Sequence, residues 1–176
     1  RALRDLVADR GFHGASMGAV ATEAGVATGT AYVHYASKAE LVFATYLEVK
    51  GQLGDAVLSG LDTTRKPSDQ WRQILTAAYR FLVDEPACAR FLTQLEESPY
   101  YEEAHARLVA SGDPLGELAR SDAFADVVVD LPPPVIYSLS LGVAVRLVAA
   151  GIRLQDQEID RLVEATWRAV TKPSST

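Results

Sequence analysis

The sequence contains few of the residues that build covalent or metal-bound cores. It has one cysteine, Cys88, in 176 residues, which excludes an internal disulfide and any zinc site made of cysteines. The three histidines, His13, His34 and His105, are far apart and lack metal-ligand spacing. No strand pattern stands out, so no glycine-rich phosphate loop follows a strand. The sequence therefore predicts no metal, no cofactor and no enzyme of these classes.

Long apolar runs are also missing. The most apolar stretch, LSLGVAVRLVAAGIRL at residues 139–154, is interrupted by Arg146 and Arg153, so it predicts an amphipathic helix instead of a membrane span. The opening RALRDLVADRGF lacks the continuous apolar core of a signal peptide. A composition of 48% hydrophobic and 23% charged residues is typical of a soluble globular protein. We therefore expect a cytoplasmic protein with no membrane partner.

Positive charge is scarce, since the formal net charge is −6, which argues mildly against a nucleic-acid partner. The charge is unevenly distributed, however. Residues 1–40 hold four basic and four acidic side chains, so the rest of the chain carries the whole excess. This neutral N-terminal head, residues 1–40, can still bind DNA if its few cations and backbone amides point at phosphates. Because the sequence opens inside a helical pattern, we also expect basic residues to precede Arg1.

The apolar residues that are present recur at spacings of three and four, which predicts an all-α fold. A first helix is stopped by Gly11. Ser16 can cap a second helix that ends near residue 24. Gly25 can adopt the positive φ of a tight turn, and a short third helix follows over residues 28–35.

Capping and proline signals predict the later helices. SKAE, residues 37–40, reads as a capping box in which Ser37 and Glu40 each bind the other's backbone amide. Pro67 starts a further helix and Pro86 interrupts it, after which segments near 87–97 and 99–111 lead to a loop at SGDPLG.

The last third of the sequence predicts two long helices. LPPP at residues 131–134 precedes the first, which extends to about Gly151, and Asp156 can cap the second. PSST at the end reads as a loose tail. Each helix has a wide apolar face that predicts either a dimer interface or the completion of the subunit's own core. The residues we expect in a dimer interface are Leu139, Val143, Leu147, Leu162, Thr166 and Trp167.

A helix, a glycine turn and a short helix form the outline of a helix-turn-helix. Over residues 21–41, the sequence ATEAGVATGTAYVHYASKAEL resembles the DNA-binding domain of the TetR family of bacterial regulators. The resemblance spans about residues 3–47 and includes the Ala-Gly-Val turn, the Gly-Thr-x-Tyr-x-His-Tyr segment and the following lysine. Ala31 and Val33 depart from the pattern, in which larger aliphatic and aromatic residues are usual.

The resemblance implies which residues contact DNA. The helix at 28–35 would enter a major groove, with its first residues against phosphates and base edges. Lys38 would bind a phosphate, and Tyr35 would either pack beneath the helix or contact the backbone. The expected DNA-binding residues are Ser16, Met17, Thr28, Gly29, Thr30, Tyr32, His34, Tyr35 and Lys38.

The resemblance further implies that residues 1–47 form a DNA-binding domain and 48–172 a helical domain that binds an effector and dimerises. A moderately lipophilic effector would occupy a cavity among the middle helices. The expected lining residues are Trp71, Tyr79, Leu82, Phe91, Leu95, Tyr100, His105 and Tyr137.

Together these features favour a homodimeric, ligand-responsive repressor of a palindromic double-stranded operator. The alternative is a helical small-molecule binding and dimerisation module that does not read DNA, for which the neutral head and acidic body are the support. An enzyme fits least, because no acid–base or metal set converges and Cys88 has no evident base partner.

Overall fold

A computed structural model describes residues 1–173, and residues 174–176 of the expected tail lie outside them. The described residues form helices and no strand, which confirms the all-α prediction. The helices are α1 (Ala2–Gly14), α2 (Met17–Glu23), α3 (Thr28–His34), α4 (Lys38–Leu58), α5 (Pro67–Asp84), α6 (Pro86–Glu96), α7 (Tyr101–Ser111), α8 (Pro114–Ala119), α9 (Asp122–Ala125), α10 (Pro133–Leu139), α11 (Leu141–Ala149) and α12 (Asp156–Val170).

Helices α1 to α3 and the start of α4 form a small head. Gly11 has φ +69° and breaks the helical geometry within α1, as the sequence predicts. Gly25 has φ +70°, while a Cβ there would meet nothing within 4 Å. The turn therefore requires glycine for its backbone conformation and not for space. The head closes on an apolar core of Leu3, Leu6, Val7, Val20 and Leu41.

The capping box at the start of α4 is only half formed. The Ser37 hydroxyl accepts a hydrogen bond from the Glu40 amide at 3.2 Å. The Glu40 carboxylate does not return to the Ser37 amide, because both of its oxygens bind Arg107 on α7. The second half of the prediction is therefore wrong, since an ion pair from a distant helix outcompetes the local bond.

The body packs α4, α5, α6 and α11 around one continuous core. Its fully buried side chains include Leu75, Leu82, Phe91, Leu95 and Val145. Helix α1 packs on α6, where the ring centroids of Phe12 and Phe91 are 6.0 Å apart. The head and the body thus share an apolar contact in addition to α4.

Three predicted features of the C-terminal half are corrected by the structure. The segment around SGDPLG contains the short helix α8. The expected single helix after LPPP is split into α10 and α11 at Ser140, whose φ and ψ are −127° and −106°. The Ser140 hydroxyl donates to the Ile136 carbonyl at 2.6 Å, a local bond that competes with the helical ladder. Helix α12 is capped by Gln155 and not by Asp156.

Within residues 1–173, no helix is both long and apolar enough to cross a membrane. The predicted domain boundary between residues 47 and 48 lies inside α4, a continuous helix of 21 residues. Helix α4 therefore belongs to the head at its start and to the body over the remainder of its length.

Candidate DNA interface and effector cavity

Helix α3 is the most exposed helix of the head. None of its residues is buried, and Tyr32 and Val33 are 53% and 82% exposed to solvent. The turn before it is held by two backbone bonds, from the Gly25 amide to Thr22 O at 3.1 Å and from the Val26 amide to Ala21 O at 2.9 Å. Thr28, Gly29 and Thr30 are exposed at its N-terminus, so α3 presents a free face of groove size.

The two predicted DNA-binding residues at the start of α2 differ. Ser16 is exposed and caps α2 by accepting from the Ala19 amide at 3.1 Å. Met17 is only 6% exposed and belongs to the core of the head. The structure therefore does not present the Met17 side chain to a DNA backbone, because its apolar volume fills the space beneath α2.

His34 and Tyr35 lie at the end of α3. Tyr35 is half-buried and packs against the core, whereas His34 is exposed. Both line a groove of about 580 Å³ between α3, α1 and α4. His34 therefore faces the side of the head, while Tyr32 and Val33 carry the most exposed surface of α3.

Lys38 is turned inward in this structure. Its ammonium group donates to the backbone carbonyl of Phe12 and lies 6.0 Å from the centroid of the Phe12 ring. Partial burial lowers the pKa of Lys38. The side chain must leave Phe12 before it can bind a phosphate, which requires only rotations about its own flexible bonds.

The body contains a cavity of about 780 Å³, within the range of small-molecule sites. Three of the eight residues predicted to line it do so: Trp71, His105 and Tyr137. Trp71 packs edge-on to Phe124 at 6.4 Å, and the Tyr101 and His105 rings stack at 5.8 Å. Helices α4, α5, α7, α9 and α10 thus supply the aromatic walls.

The other five predicted lining residues lie outside the cavity wall. Leu82, Phe91 and Leu95 are completely buried in the core of the body. The Tyr79 hydroxyl accepts from the Leu154 amide at 2.6 Å, and Tyr100 packs on Phe12 with centroids 5.4 Å apart. Helical periodicity places the four residues other than Tyr100, which precedes α7, on inward faces. An inward face fills the core as readily as it borders a cavity.

One end of the cavity is polar, and the sequence prediction missed most of it. Lys50 on α4 lies 5.6 Å from the centroid of the Tyr137 ring, and Glu96 and Asp113 also line this end. Burial lowers the pKa of Lys50 and raises those of Tyr46 and Tyr137. One signal in the sequence was available, since Lys50 follows the buried Tyr46 by four residues and therefore shares its helical face.

An ion pair joins the wall of the cavity to the head. Arg107 on α7 binds Glu40 through two parallel bonds of 2.8 and 3.0 Å, and its Nε donates to Glu103 at 2.8 Å. The guanidinium also lies 4.2 Å from the Phe43 ring centroid. The bond from Arg107 holds the pKa of Glu40 below its usual value. Arg107 follows the cavity residue His105 by two positions, so one short helix contacts both regions.

The predicted dimer residues are divided between the surface and the core. Leu139 is 37% exposed, and Val143, Leu147 and Leu162 are partly exposed on the outer side of α10 to α12. Thr166 is only 4% exposed, and its hydroxyl accepts from Trp71 Nε1 at 3.1 Å. Trp167 packs on Trp71 with centroids 5.8 Å apart. Thr166 is therefore part of the subunit's interior, while the aliphatic residues form an outer seam.

A three-helix head whose third helix, α3, is exposed, carried on a helical body with a cavity, defines a helix-turn-helix DNA-binding protein. Among the residues described, none form a group of three or more histidine, cysteine, aspartate or glutamate side chains able to hold a metal ion.

Comparisons with known proteins extend this assignment to a family. Residues 1–45 match the family model of bacterial regulatory proteins of the tetR family, and residues 67–171 match the tetracyclin repressor-like C-terminal domain. An uncharacterized HTH-type transcriptional regulator of Haemophilus influenzae is 25% identical over 95% of this chain and 90% of its own length.

Solved structures show the same relationship. A TetR-family transcriptional regulator from H. influenzae Rd aligns with a TM-score of 0.74 and 26% identity over 97% of this chain and 93% of that one. A TetR family transcription regulator from Marinobacter aquaeolei VT8 aligns with a TM-score of 0.78 over 98% and 93% of the two chains, at 22% identity. The second likeness shows the fold alone.

The chain therefore belongs to the TetR family of bacterial transcriptional regulators. It is a DNA-binding regulator of transcription and not an enzyme.

Proposed function

We propose that this regulator is a homodimeric cytoplasmic repressor that leaves a palindromic operator when a small lipophilic molecule enters its cavity. The observation that carries the proposal is the position of the cavity of about 780 Å³ between helices that also contact the head. Helix α4 lines the cavity with Tyr46 and Lys50 and begins, at Lys38, beside α3. A ligand that moves α4 therefore changes the orientation of the head.

Helix α7 provides a second route between the two regions. It lines the cavity with Tyr101 and His105 and binds Glu40 in the first turn of α4 through Arg107. A bidentate arginine–carboxylate pair fixes orientation as well as distance. A shift of α7 on ligand binding would therefore pull on the start of α4, two residues after Lys38.

In the proposed complex with DNA, α3 lies in the major groove. Thr28, Gly29 and Thr30 direct hydroxyl and amide donors at phosphates and base edges, and Tyr32 contacts a base edge or a thymine methyl. Ser16, His34, Tyr35 and Lys38 contact the backbone on either side. Val33 joins this set because its 82% exposure on the same helix suits a thymine methyl.

The proposed dimer pairs α11 and α12 with their copies in the partner subunit. The partly exposed seam described above contains Val143 and Leu147, which lie four residues apart on α11, and Leu139 at the end of α10. Leu162 and the outer edge of Trp167 on α12 extend it. Two heads joined in this way would meet half-sites about one helical turn apart, which makes the head spacing decisive for affinity.

The effector acts by preferring the conformer whose heads are wrongly spaced. It can shift the equilibrium only by the ratio of its affinities for the two conformers. This limit means that tight binding alone does not release the operator, and that residues coupling the cavity to the head decide the response.

DNA binding is tested by fluorescence polarisation with fragments from upstream of the regulator's own gene. We expect saturable binding that weakens steeply as salt increases. Absence of binding at low salt to all such fragments would remove the repressor function.

Release is tested with compounds extracted from the protein after purification from its own host. Mass spectrometry identifies the extracted compounds, which are then added back to the protein–DNA complex. We expect release with wild type, and reduced release with Arg107→Met at unchanged ligand affinity. Arg80→Met, which alters an exposed arginine of α5, is the matched control. Equal release from all three proteins would contradict the coupling through Glu40.

A further inference from the structure

The polar end of the cavity holds buried atoms whose hydrogen bonds are not made. Asp113 Oδ1 and His105 Nδ1 are both buried and have no hydrogen-bond partner among the described residues. Both residues line the cavity. Buried polar atoms are normally paired, because a lost hydrogen bond to water is otherwise not replaced. A ligand that donates a hydrogen bond to Asp113 would supply the missing interaction.

Lys50 presents the opposite requirement in the same place. Its ammonium group lines the cavity 5.6 Å from the Tyr137 ring centroid. Lys50 takes part in no salt bridge of the described residues: Glu96 is paired with Arg146, and Glu96 and Asp113 act on Lys50 through long-range attraction. An ammonium group has three donors, so Lys50 is placed to donate to an acceptor on a ligand.

The formal charges at this end balance. Lys50 and Asp113 carry opposite charges, and Glu96 is compensated by Arg146, whose Nη1 lies 4.0 Å from it. A cationic ligand head would gain from Asp113 but be repelled by Lys50. An anionic head would gain from Lys50 but be repelled by Asp113. A neutral head that both donates and accepts satisfies the two side chains without adding an unbalanced charge.

Most of the other side chains that line the cavity are apolar or aromatic, and the charged exceptions are Arg120, Asp130 and Lys172, whose formal charges add only one positive unit. Trp71 and Phe124 form an edge-on pair, and Leu115, Ile136 and Leu141 extend the wall. A volume of about 780 Å³ accommodates a molecule with one or two rings or a branched chain. Lys50 lies beside Tyr137 and interacts electrostatically with Asp113 and Glu96, so the end of the ligand that meets these residues would be polar.

We infer that the cavity takes an uncharged lipophilic molecule with a single polar head, a carboxamide or an alcohol, that accepts from Lys50 and donates to Asp113. This inference rests on the proposed function in one respect, namely that the cavity is the effector site. It adds the chemistry of the effector, which the family relationship does not supply.

The test uses four compounds that share one biphenyl body and differ only in the head: biphenyl-4-carboxamide, biphenyl-4-methanol, biphenyl-4-carboxylate and biphenyl-4-methylammonium. Binding to the intact chain is measured by isothermal titration calorimetry near neutral pH. We expect the carboxamide and the alcohol to bind roughly tenfold or more tightly than either charged compound.

Two variants test the balance of charge. Lys50→Met leaves Asp113 uncompensated and should shift the preference toward the methylammonium compound. Asp113→Asn leaves Lys50 uncompensated and should shift it toward the carboxylate. Lys66→Met and Glu117→Gln alter an exposed lysine and an exposed carboxylate outside the cavity, and both should retain the wild-type order.

A charged compound that binds wild type as tightly as the neutral pair would overturn the inference, as would an absence of binding by all four. So would an unchanged order of affinity in both cavity variants. Calorimetry requires no DNA, so failure of the operator experiment leaves these results valid. Conversely, a wrong head group here leaves operator binding and release by the co-purified molecule untouched.

Discussion

Lys50 and Glu40 show how single side chains depart from the local patterns that surround them. Lys50 belongs to the inward face of α4 and nevertheless carries a charge into the cavity. Glu40 stands at the third position of a capping box and binds Arg107 instead. Glu40 is held by Arg107, and Lys50 shares the cavity lining with Asp113, both more than sixty positions away in the sequence. Local pattern alone could not reveal either pairing of distant residues.

The role of Lys38 can be tested with one substitution. Lys38→Ala should weaken operator binding and reduce the slope of log K against log salt by about one, because one phosphate contact releases about one counterion. Polarisation titrations over a range of salt concentrations measure the slope. Lys66→Ala, which removes an exposed lysine just before α5, is the control and should leave the slope unchanged. An unchanged slope in Lys38→Ala would show that its ammonium group stays at the Phe12 carbonyl in the complex.

The ion pair of Glu40 predicts a dependence of stability on pH. Arg107 lowers the folded pKa of Glu40 below the ordinary value of 4.5. The pair therefore stabilises the fold fully above that value, and the contribution is lost as pH falls through the lower folded pKa.

Chemical denaturation of wild type and Glu40→Gln at several pH values measures this contribution. We expect the variant to be less stable at neutral pH, with a difference that narrows below about pH 4.5. Glu97→Gln, which alters an exposed glutamate of the body, should show no such narrowing. A difference that is constant with pH would mean that Glu40 acts by packing and not by charge.

At the level of helices, most boundaries were predictable because they depend on residues with strong local effects. Gly11 and Gly25 have positive φ, Pro67 and Pro86 begin helices, and Ser37 caps α4. The break at Ser140 was not predictable, since apolar spacing continues through it and only the serine hydroxyl and its two carbonyl acceptors mark it.

The turn between α2 and α3 can be tested separately from its surroundings. Gly25→Ala should cost about 1–2 kcal/mol, because alanine disfavours φ +70° although its methyl group has room. Gly51→Ala in α4 also has free space but should stabilise by up to about 1 kcal/mol. Urea midpoints measure both variants. A neutral effect of Gly25→Ala would indicate that the turn relaxes to negative φ.

For the whole molecule, the sequence predicted the all-α fold but not the shape of the cavity. The resemblance located the helix-turn-helix. Ten of the twelve helices of the described residues overlap a predicted helix, and the two that do not, α8 and α9, both follow α7. The cavity depends on which inward faces fail to meet. Tyr79 and His105 both occupy inward positions, yet only His105 borders the empty space.

The proposed dimer can be tested with a charge in its seam. Leu147→Glu should give monomers in light scattering, because burying an unpaired carboxylate in an apolar interface costs more than the contact supplies. Leu58→Glu changes an exposed leucine of α4 and should leave the mass of the particle unchanged. If Leu147→Glu scatters as wild type does, the interface lies on another face.

The length of α4 sets the scale of motion that an operator can detect. Lys38 and Lys50 are separated by about 18 Å along the helix axis, at about 1.5 Å per residue. A tilt of roughly 5° about Lys50 therefore displaces the start of α4 by about 1.6 Å. In a symmetric dimer with heads that move apart, the two displacements sum to about 3 Å, close to the rise of about 3.4 Å per base pair. In such a dimer, a tilt of this size would change the half-site spacing by about one base pair.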